Sequence, residues 1–280
     1  MVEKIKEKSS LIKNYFKIKV INKILIKLKL REKHDYLISE KKIELENKIR
    51  KISNYLVLYG SYKNTFLSCK NNWNISDNCS KLLGLYEKQI QENSVNLKKK
   101  YALKYVVNFG ASDGFHILGL IKNNFFDEGL AFEIDDISRE YLVENIEKNN
   151  LSSRIKTFSN ANFSDVFKIL SDDKLKKTLF LIDIEGQEFD LFNDENLGKL
   201  NNSFFIIENH EFFIKDKNKI KKFMSLIENY FKVNLINNSS RDPFKIELLN
   251  NFNDDEKWLM MSESRPQTMN WLLLKPKKIL

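Results

Sequence analysis

The chain is expected to fold as an α/β protein on a mostly parallel, doubly wound sheet, and three observations predict this. From about residue 100, short apolar runs rich in β-type residues alternate with helical stretches. Strands alternating with helices imply right-handed β-α-β crossovers, which build parallel sheets. The first strand runs into a glycine-bearing turn, "NFGASDGFH", and sheets of this kind bind ligands beyond the carboxyl ends of their strands. Finally, 280 residues with 42% hydrophobic content suffice for one large α/β core or two small ones.

In chain order, "KYVVNF" reads as the first strand, with a helix from about Phe115, and "GLAFEI" as the second, followed by a helix through "SREYLVENIEKNN". "RIKTF" is a strand and "SDVFKILSDD" a helix; "TLFLID" and "SFFIIE" are strands four and five. A helix over Ile220 to Asn229 precedes "FKVNLI", and "WLLLK" closes a set of seven strands. Ahead of them, a turn-rich segment leads to a helix from about Cys79 to Gln91. The expected organisation is a basic arm over 1–50, an accessory or lid segment over 51–100 and a core domain over 101–280. No internal repeat is present.

The net charge of +9 is concentrated in the arm: residues 1–50 hold 15 Lys or Arg against 7 Asp or Glu, the rest 32 against 31. Lysines 17, 19, 23, 27 and 29 interrupt each apolar run that would serve as a signal-peptide core. Residues 1–33 read either as an accessory helix with a solvated lysine face or as an amphipathic helix on an anionic membrane or polyanion. Of the 47 basic residues 41 are Lys, and Arg is the better sign of built phosphate contacts, so nucleic acid is not the expected partner. Cys69 and Cys79 lack metal-site spacing, so reduced thiols and a cytoplasmic setting are expected, with the inner membrane surface as the arm's alternative contact.

Gly110 and Gly114 form a GxxxG turn after the first strand, distinct from the GxGxxG dinucleotide pattern. Gly110 suits a tight turn and Gly114 a close backbone approach at a helix start; alone the pair is weak evidence, and a purely structural turn is its commoner explanation. Glu133 ends the second strand 23 positions after Gly110, near the spacing at which an acid binds ribose hydroxyls, although alone it is as ordinary as a capping acid. The fourth strand exits into "IDIEGQEFD", placing Asp183, Glu185, Glu188 and Asp190 within eight positions. Glu188 and Asp190 follow Gly186 where a helix should start, and stabilising that start is the expected role of Glu188.

"VVNFGASDGFHILGL", "GLAFEIDD", "FSNANFSD" and "LFLIDIEGQEFDLF" together resemble successive motifs of S-adenosylmethionine-dependent methyltransferases of the FkbM type, whose fourth strand ends in an "IDIEG.E" signature. The resemblance covers about residues 80–210, with "IIENH" adding specificity, and implies a Rossmann-like class I methyltransferase fold with a seven-stranded sheet and an N-terminal helical extension. It also implies S-adenosylmethionine as cofactor. Gly110 and Gly114 would face its methionine moiety, with Asn108 and Ala111 in the same cofactor-binding turn. Glu133 would bind the ribose, Ile134 would pack on the adenine with Asn160 and Ala161 beside it, and Asp183 would face the methionine end and the acceptor. The family usually has an acid where this chain has Asn108, which hydrogen-bonds but supplies no charge.

Methyl transfer asks mainly for alignment and, for a hydroxyl acceptor, removal of a proton. Asp183, Glu185 and His210 are the candidate catalytic groups, in that order; His210 reads equally as a loop hydrogen-bonder, with Glu208 holding its ring. Asp183, Glu185, Glu208 and His210 also suit a divalent ion, but their spacing does not require one and no metal is expected. Residues 237–269 are long enough for a substrate-facing loop. Its only arginines, Arg241 and Arg265, are candidates to grip an anionic acceptor, or else to pair with Asp242 or Glu263. Trp73, Trp258 and Trp271 are candidate stacking surfaces, with core packing the ordinary role for Trp271. The chain lacks an Asn-Pro-Pro-Tyr type sequence after the fourth strand, which counts mildly against base N-methylation, and the resemblance implies O-methylation of a sugar, glycan precursor or related small molecule. A non-catalytic scaffold with this fold, or a protein acting through its arm, are the competing classes.

Overall fold

The computed structural model describes residues 33–70, 77–263, 265 and 267–278, with residues 33–36 in backbone only. The lysine-rich stretch 1–32 and Trp73 lie outside the described residues. Seven strands form one sheet in the order β3-β2-β1-β4-β5-β7-β6: β1 (Tyr105–Phe109), β2 (Glu128–Phe132), β3 (Ile155–Phe158), β4 (Thr178–Ile182), β5 (Phe204–Glu208), β6 (Phe231–Asn237) and β7 (Asn270–Pro276). Pairings among the first five strands are parallel, and β7 runs antiparallel to both β5 and β6.

Helices flank the sheet: α1 (Lys33–Ser53), α2 (Asn78–Leu82), α3 (Lys88–Tyr101), α4 (Phe115–Lys122), α5 (Asp136–Lys148), α6 (Phe163–Ile169), α7 (Asp172–Leu175), α8 (Glu188–Leu191), α9 (Asp194–Leu200), α10 (Lys217–Tyr230) and α11 (Asp254–Met261). All five residues of β4 and of β5 are buried, as strands covered on both faces must be. The two-residue period of each strand divides its side chains between two cores. Val106, Leu179, Leu181, Ile206 and Leu273 pack with α2–α4 residues on one face; Val107, Phe109, Phe180, Phe205 and Leu274 pack toward α9 and α10 on the other. That second core is aromatic, with Phe180 and Phe205 stacked at 4.8 Å and Phe109 meeting Phe132 edge-on at 4.8 Å.

Three local expectations are revised. The helix read from Cys79 to Gln91 is two helices, α2 and α3, because Gly84 between them adopts φ +71° and a Cβ there would lie 1.9 Å from the Tyr59 carbonyl oxygen. "SDVFKILSDD" is likewise split into α6 and α7, with Ser171 extended between them. Residues 237–269 are not one open loop: they contain two short 3₁₀ turns and α11, whose Asn253–Glu256 capping box closes its first turn. Ile246, Leu249, Met260 and Met261 of this segment are buried in the first core, which also takes Leu45 and Ile49 of α1. Cys69 and Cys79 are buried free thiols, and burial pushes Cys79 up to about 12. No helix among the described residues is long and apolar enough to cross a membrane.

Candidate functional site

The register of the sheet brings the predicted residues together. Phe109 of β1 is opposite Phe132 of β2 and Ile182 of β4, and Ile207 of β5 is opposite Ile182. The four strands therefore end side by side, and the residues leaving them, Gly110, Glu133, Asp183 and Glu208, share one edge. A cavity of ≈ 950 Å³ opens there, lined among others by Asn108, Gly110, Ala111, Glu133, Ile134, Asn160, Ala161, Asp183, Glu185, His210 and Arg265.

Gly110 has φ +75°, and a Cβ on it would lie 1.6 Å from the Asp183 carbonyl oxygen. Its missing side chain therefore allows the β1 and β4 exits to pass each other, and so sets where Asp183 begins. Gly114 is set apart from the cavity wall: a Cβ there would meet Leu142 and Leu118 at 2.7 and 2.8 Å, so its role is helix packing at the start of α4. Asn108 is buried in β1, its amide 3.5 Å from the carbonyls of Phe109 and Leu181.

Glu133 is 5% exposed, and its carboxylate accepts backbone N–H bonds from Ser112 at 2.7 Å and Asp135 at 2.9 Å. Each oxygen keeps a second acceptor direction, so the group is fixed without being saturated. Ile134 stands at the rim, largely exposed.

The β4 and β5 exits form the acidic end. Asp183 has a side chain 42% exposed, yet its Oδ1 is buried without a hydrogen-bond partner among the described residues. Burial, then the Glu208 and Glu87 carboxylates, push its pKa well above the ordinary carboxylate range. Glu185 takes φ +53° and Gly186 φ +95°, a left-handed pair that is costly at a residue with a Cβ and is typical of functional turns. His210 is 3% exposed; its Nδ1 and its backbone N–H each lie 3.1 Å from Glu188 Oε1. Burial opposes charge on the ring, but the Glu188 hydrogen bond and the Glu208, Glu188 and Glu185 carboxylates outweigh it and raise its pKa. Glu188 also accepts the Gly186 N–H at 2.9 Å, so it is the residue that aims His210 as well as one that steadies the turn before α8. No sequence spacing marks that pairing, because the two residues meet only across strand ends.

Both arginines have carboxylate partners. Arg241 is off the cavity wall and pairs with Glu263. Arg265 reaches the wall, but its guanidinium is engaged by Glu87, Glu208 and Glu263. Arg265 and His116 hold Glu87 down to about 2 despite burial, which acts the other way. A buried Lys81 spans Asp113 at 3.0 Å and Asp77 at 3.6 Å. Among the described residues of the wall, nine acidic side chains face only two permanent cations, Lys81 and Arg265. Since those two are committed to acids, Asp183 and Glu185 give the cavity a net negative end that suits a cationic ligand. Of the tryptophans, Trp271 lines the cavity from β7, whereas Trp258 is exposed beside Phe244.

A seven-stranded sheet in this order, with β7 alone reversed, is the Rossmann-like class I methyltransferase fold. In sequence the chain matches no protein-family profile and no curated protein. Among solved structures it is similar to a Klebsiella pneumoniae protein with a provisional O-methyltransferase assignment, at 10% identity over 92% of this chain and 97% of that one, TM-score 0.46. It is also similar to the tRNA methyltransferase TrmK of B. subtilis, at 9% identity over 67% of this chain and 65% of that one, TM-score 0.43. TrmK of M. capricolum, in complex with S-adenosyl-homocysteine, is 15% identical over 67% of this chain and 68% of that one, TM-score 0.42.

Proposed function

We propose that the protein is an S-adenosylmethionine-dependent methyltransferase that methylates a hydroxyl of a sugar, glycan precursor or related small molecule. The observation that carries this reading is the joining, in one cavity of ≈ 950 Å³, of a fixed acid at the end of β2 with a carboxylate–imidazole pair at the ends of β4 and β5. The donor set fits the cofactor. Glu133, held by two backbone amides, retains acceptor capacity for vicinal hydroxyls, and the excess of negative charge on the wall favours a sulfonium over an anion. The cofactor supplies an electrophilic methyl group.

The chain's own residues do the rest. Asp183, with a raised proton affinity and 42% exposure to the cavity, is placed to accept the hydroxyl proton of an acceptor. His210, with Nδ1 on Glu188, presents Nε2 3.6 Å from Asp183 Oδ1, where a protonated ring steadies the ionised carboxylate before it takes the proton. Phe212 and Phe213 at the rim, the latter stacked on His210 at 5.7 Å, offer an apolar face for the acceptor ring and help exclude water. Holding acceptor and methyl group in line is worth about 7–11 kcal/mol in favourable systems, so alignment is the larger contribution.

Calorimetric titration with S-adenosylmethionine, followed by incubation of the full chain with methyl-labelled cofactor and fractionated cell extract, tests the reading. The expected result is saturable cofactor binding and label in a hydroxylated small molecule. No detectable binding at millimolar cofactor would sink it.

A further inference from the structure

We propose that the acidic end of the cavity is a divalent-cation site made by Asp183, Glu185 and His210, with Glu208 behind them. The site shares the cavity of the proposed methyltransferase but does not depend on methyl transfer. One ligand atom from each of the first three residues falls in a group whose members lie within 4.8 Å of one another.

Carboxylates gathered at strand ends are common, but a buried imidazole and a buried carboxylate oxygen set this group apart. His210 is 3% exposed, and its Nε2 has no hydrogen-bond partner among the described residues. The oxygens nearest to it are Asp183 Oδ1 at 3.6 Å, Glu185 Oε2 at 3.6 Å and Glu208 Oε2 at 3.8 Å, all beyond hydrogen-bond length. Asp183 Oδ1, the atom facing it, is likewise buried without a donor. Glu188 fixes which nitrogen is offered: with Nδ1–H donated to it, Nε2 is the atom left to bind a cation, which displaces any proton there. That nitrogen faces three acids. Two bonds of about 2.1 Å meeting at a cation span the gap between Nε2 and Oδ1 and neutralise the carboxylates at once. A water molecule would satisfy the two atoms but bring no positive charge to Asp183 and Glu185.

The donor set also selects among ions. Carboxylate oxygens favour hard cations such as Mg²⁺ and Mn²⁺, and a single imidazole is compatible with Mn²⁺. There is no thiol in the group, which disfavours the soft metals. Octahedral cations need more ligands than these side chains supply, so the remaining positions face the cavity, open to water or a hydroxyl oxygen.

The test is titration of the full chain with Mn²⁺, free ion being read from its EPR signal, without S-adenosylmethionine. Saturable one-to-one binding is expected. Glu185→Gln, at a side chain 68% exposed, should weaken it at least about tenfold, and Glu188→Gln, acting through the ring, should weaken it by about tenfold or more. Absence of saturable binding at millimolar Mn²⁺ overturns the proposal, and so does binding that both variants leave unchanged, since the ion would then sit elsewhere. Cofactor calorimetry on the same samples keeps the two readings apart: Mn²⁺ bound without cofactor binding rejects only the methyltransferase, and the reverse rejects only the cation site.

Discussion

Glu188 uses Oε2 on the Gly186 N–H and Oε1 on His210, so a residue that a sequence reader assigns to a helix start also decides which imidazole nitrogen faces the cavity. Asp183 is the residue whose loss should cost chemistry rather than binding. Asp183→Asn keeps the shape but removes the base, and is expected to lower kcat by about 10²–10⁴-fold, more than it weakens cofactor binding. A fully active variant in steady-state assays would show that this carboxylate is not the proton acceptor. Glu46 in α1 makes a pH prediction. Burial raises it to about 7 from 4.5, and its Oε2 has no hydrogen-bond partner among the described residues, so a proton sits comfortably there. A folded pKa above the unfolded one adds stability that is fully present below pH 4.5 and is lost as pH rises through 7. At about 1.4 kcal/mol per unit, the group withdraws on the order of 3 kcal/mol across that window. Glu46→Gln should therefore gain urea resistance over the parent at about pH 8 but not at about pH 4; parallel stability curves would refute the assignment.

At the scale of elements, glycines mark where one segment must pass another closely. Gly119 lies inside α4, where helix propensity alone favours alanine by up to about 1 kcal/mol. A Cβ there, however, would meet the buried Tyr62 ring at 2.1 Å. Overpacking costs about 1–3 kcal/mol, so packing wins, and Gly119→Ala is expected to lower the urea midpoint, with a net loss of about 1–2 kcal/mol. A variant as stable as the parent would mean that the ring can yield. The strands were legible in the sequence because β-branched and aromatic runs such as "TLFLI" and "FFIIE" are bounded by polar residues. The breaks at Gly84 and Ser171 are not, because the tight packing that Gly84 allows at φ +71° is against the Tyr59 carbonyl, some 25 positions away. Residues 237–269 look like a loop in sequence for the same reason: the partners that order α11 are α1 and α2, distant in sequence.

Across the whole molecule, Arg265 ties the pieces together. Its guanidinium joins Glu87, at the start of α3, to Glu208 at the end of β5 and to Glu263 beyond α11, and its face lies near Tyr86 and Trp271. Arg265→Leu leaves buried acids short of a cation, which costs about 3–5 kcal/mol when one partner of a buried pair is removed. Chemical denaturation should register that loss, and Arg265→Lys should recover only part of it because a single ammonium cannot reproduce the three-way fork. A leucine variant with unchanged stability would show that the network is dispensable. An arginine in a long loop reads as a substrate clamp when its neighbours are unknown; folded, its donors face inward to the chain's own carboxylates.

By itself the sequence determined the alternating α/β plan, the seven strands, and the placing of Glu133, Asp183 and His210 at strand ends, because strand period, turn residues and motif spacing are local properties of the chain. Only the tertiary structure decided that Glu188 aims His210, that Gly114 packs against leucines instead of facing the cavity, that Arg241 and Arg265 are paired, and that Asp183 Oδ1 and His210 Nε2 stand 3.6 Å apart without partners. Those facts depend on contacts between residues far apart along the chain, and it is the register of neighbouring strands that sets which of them meet.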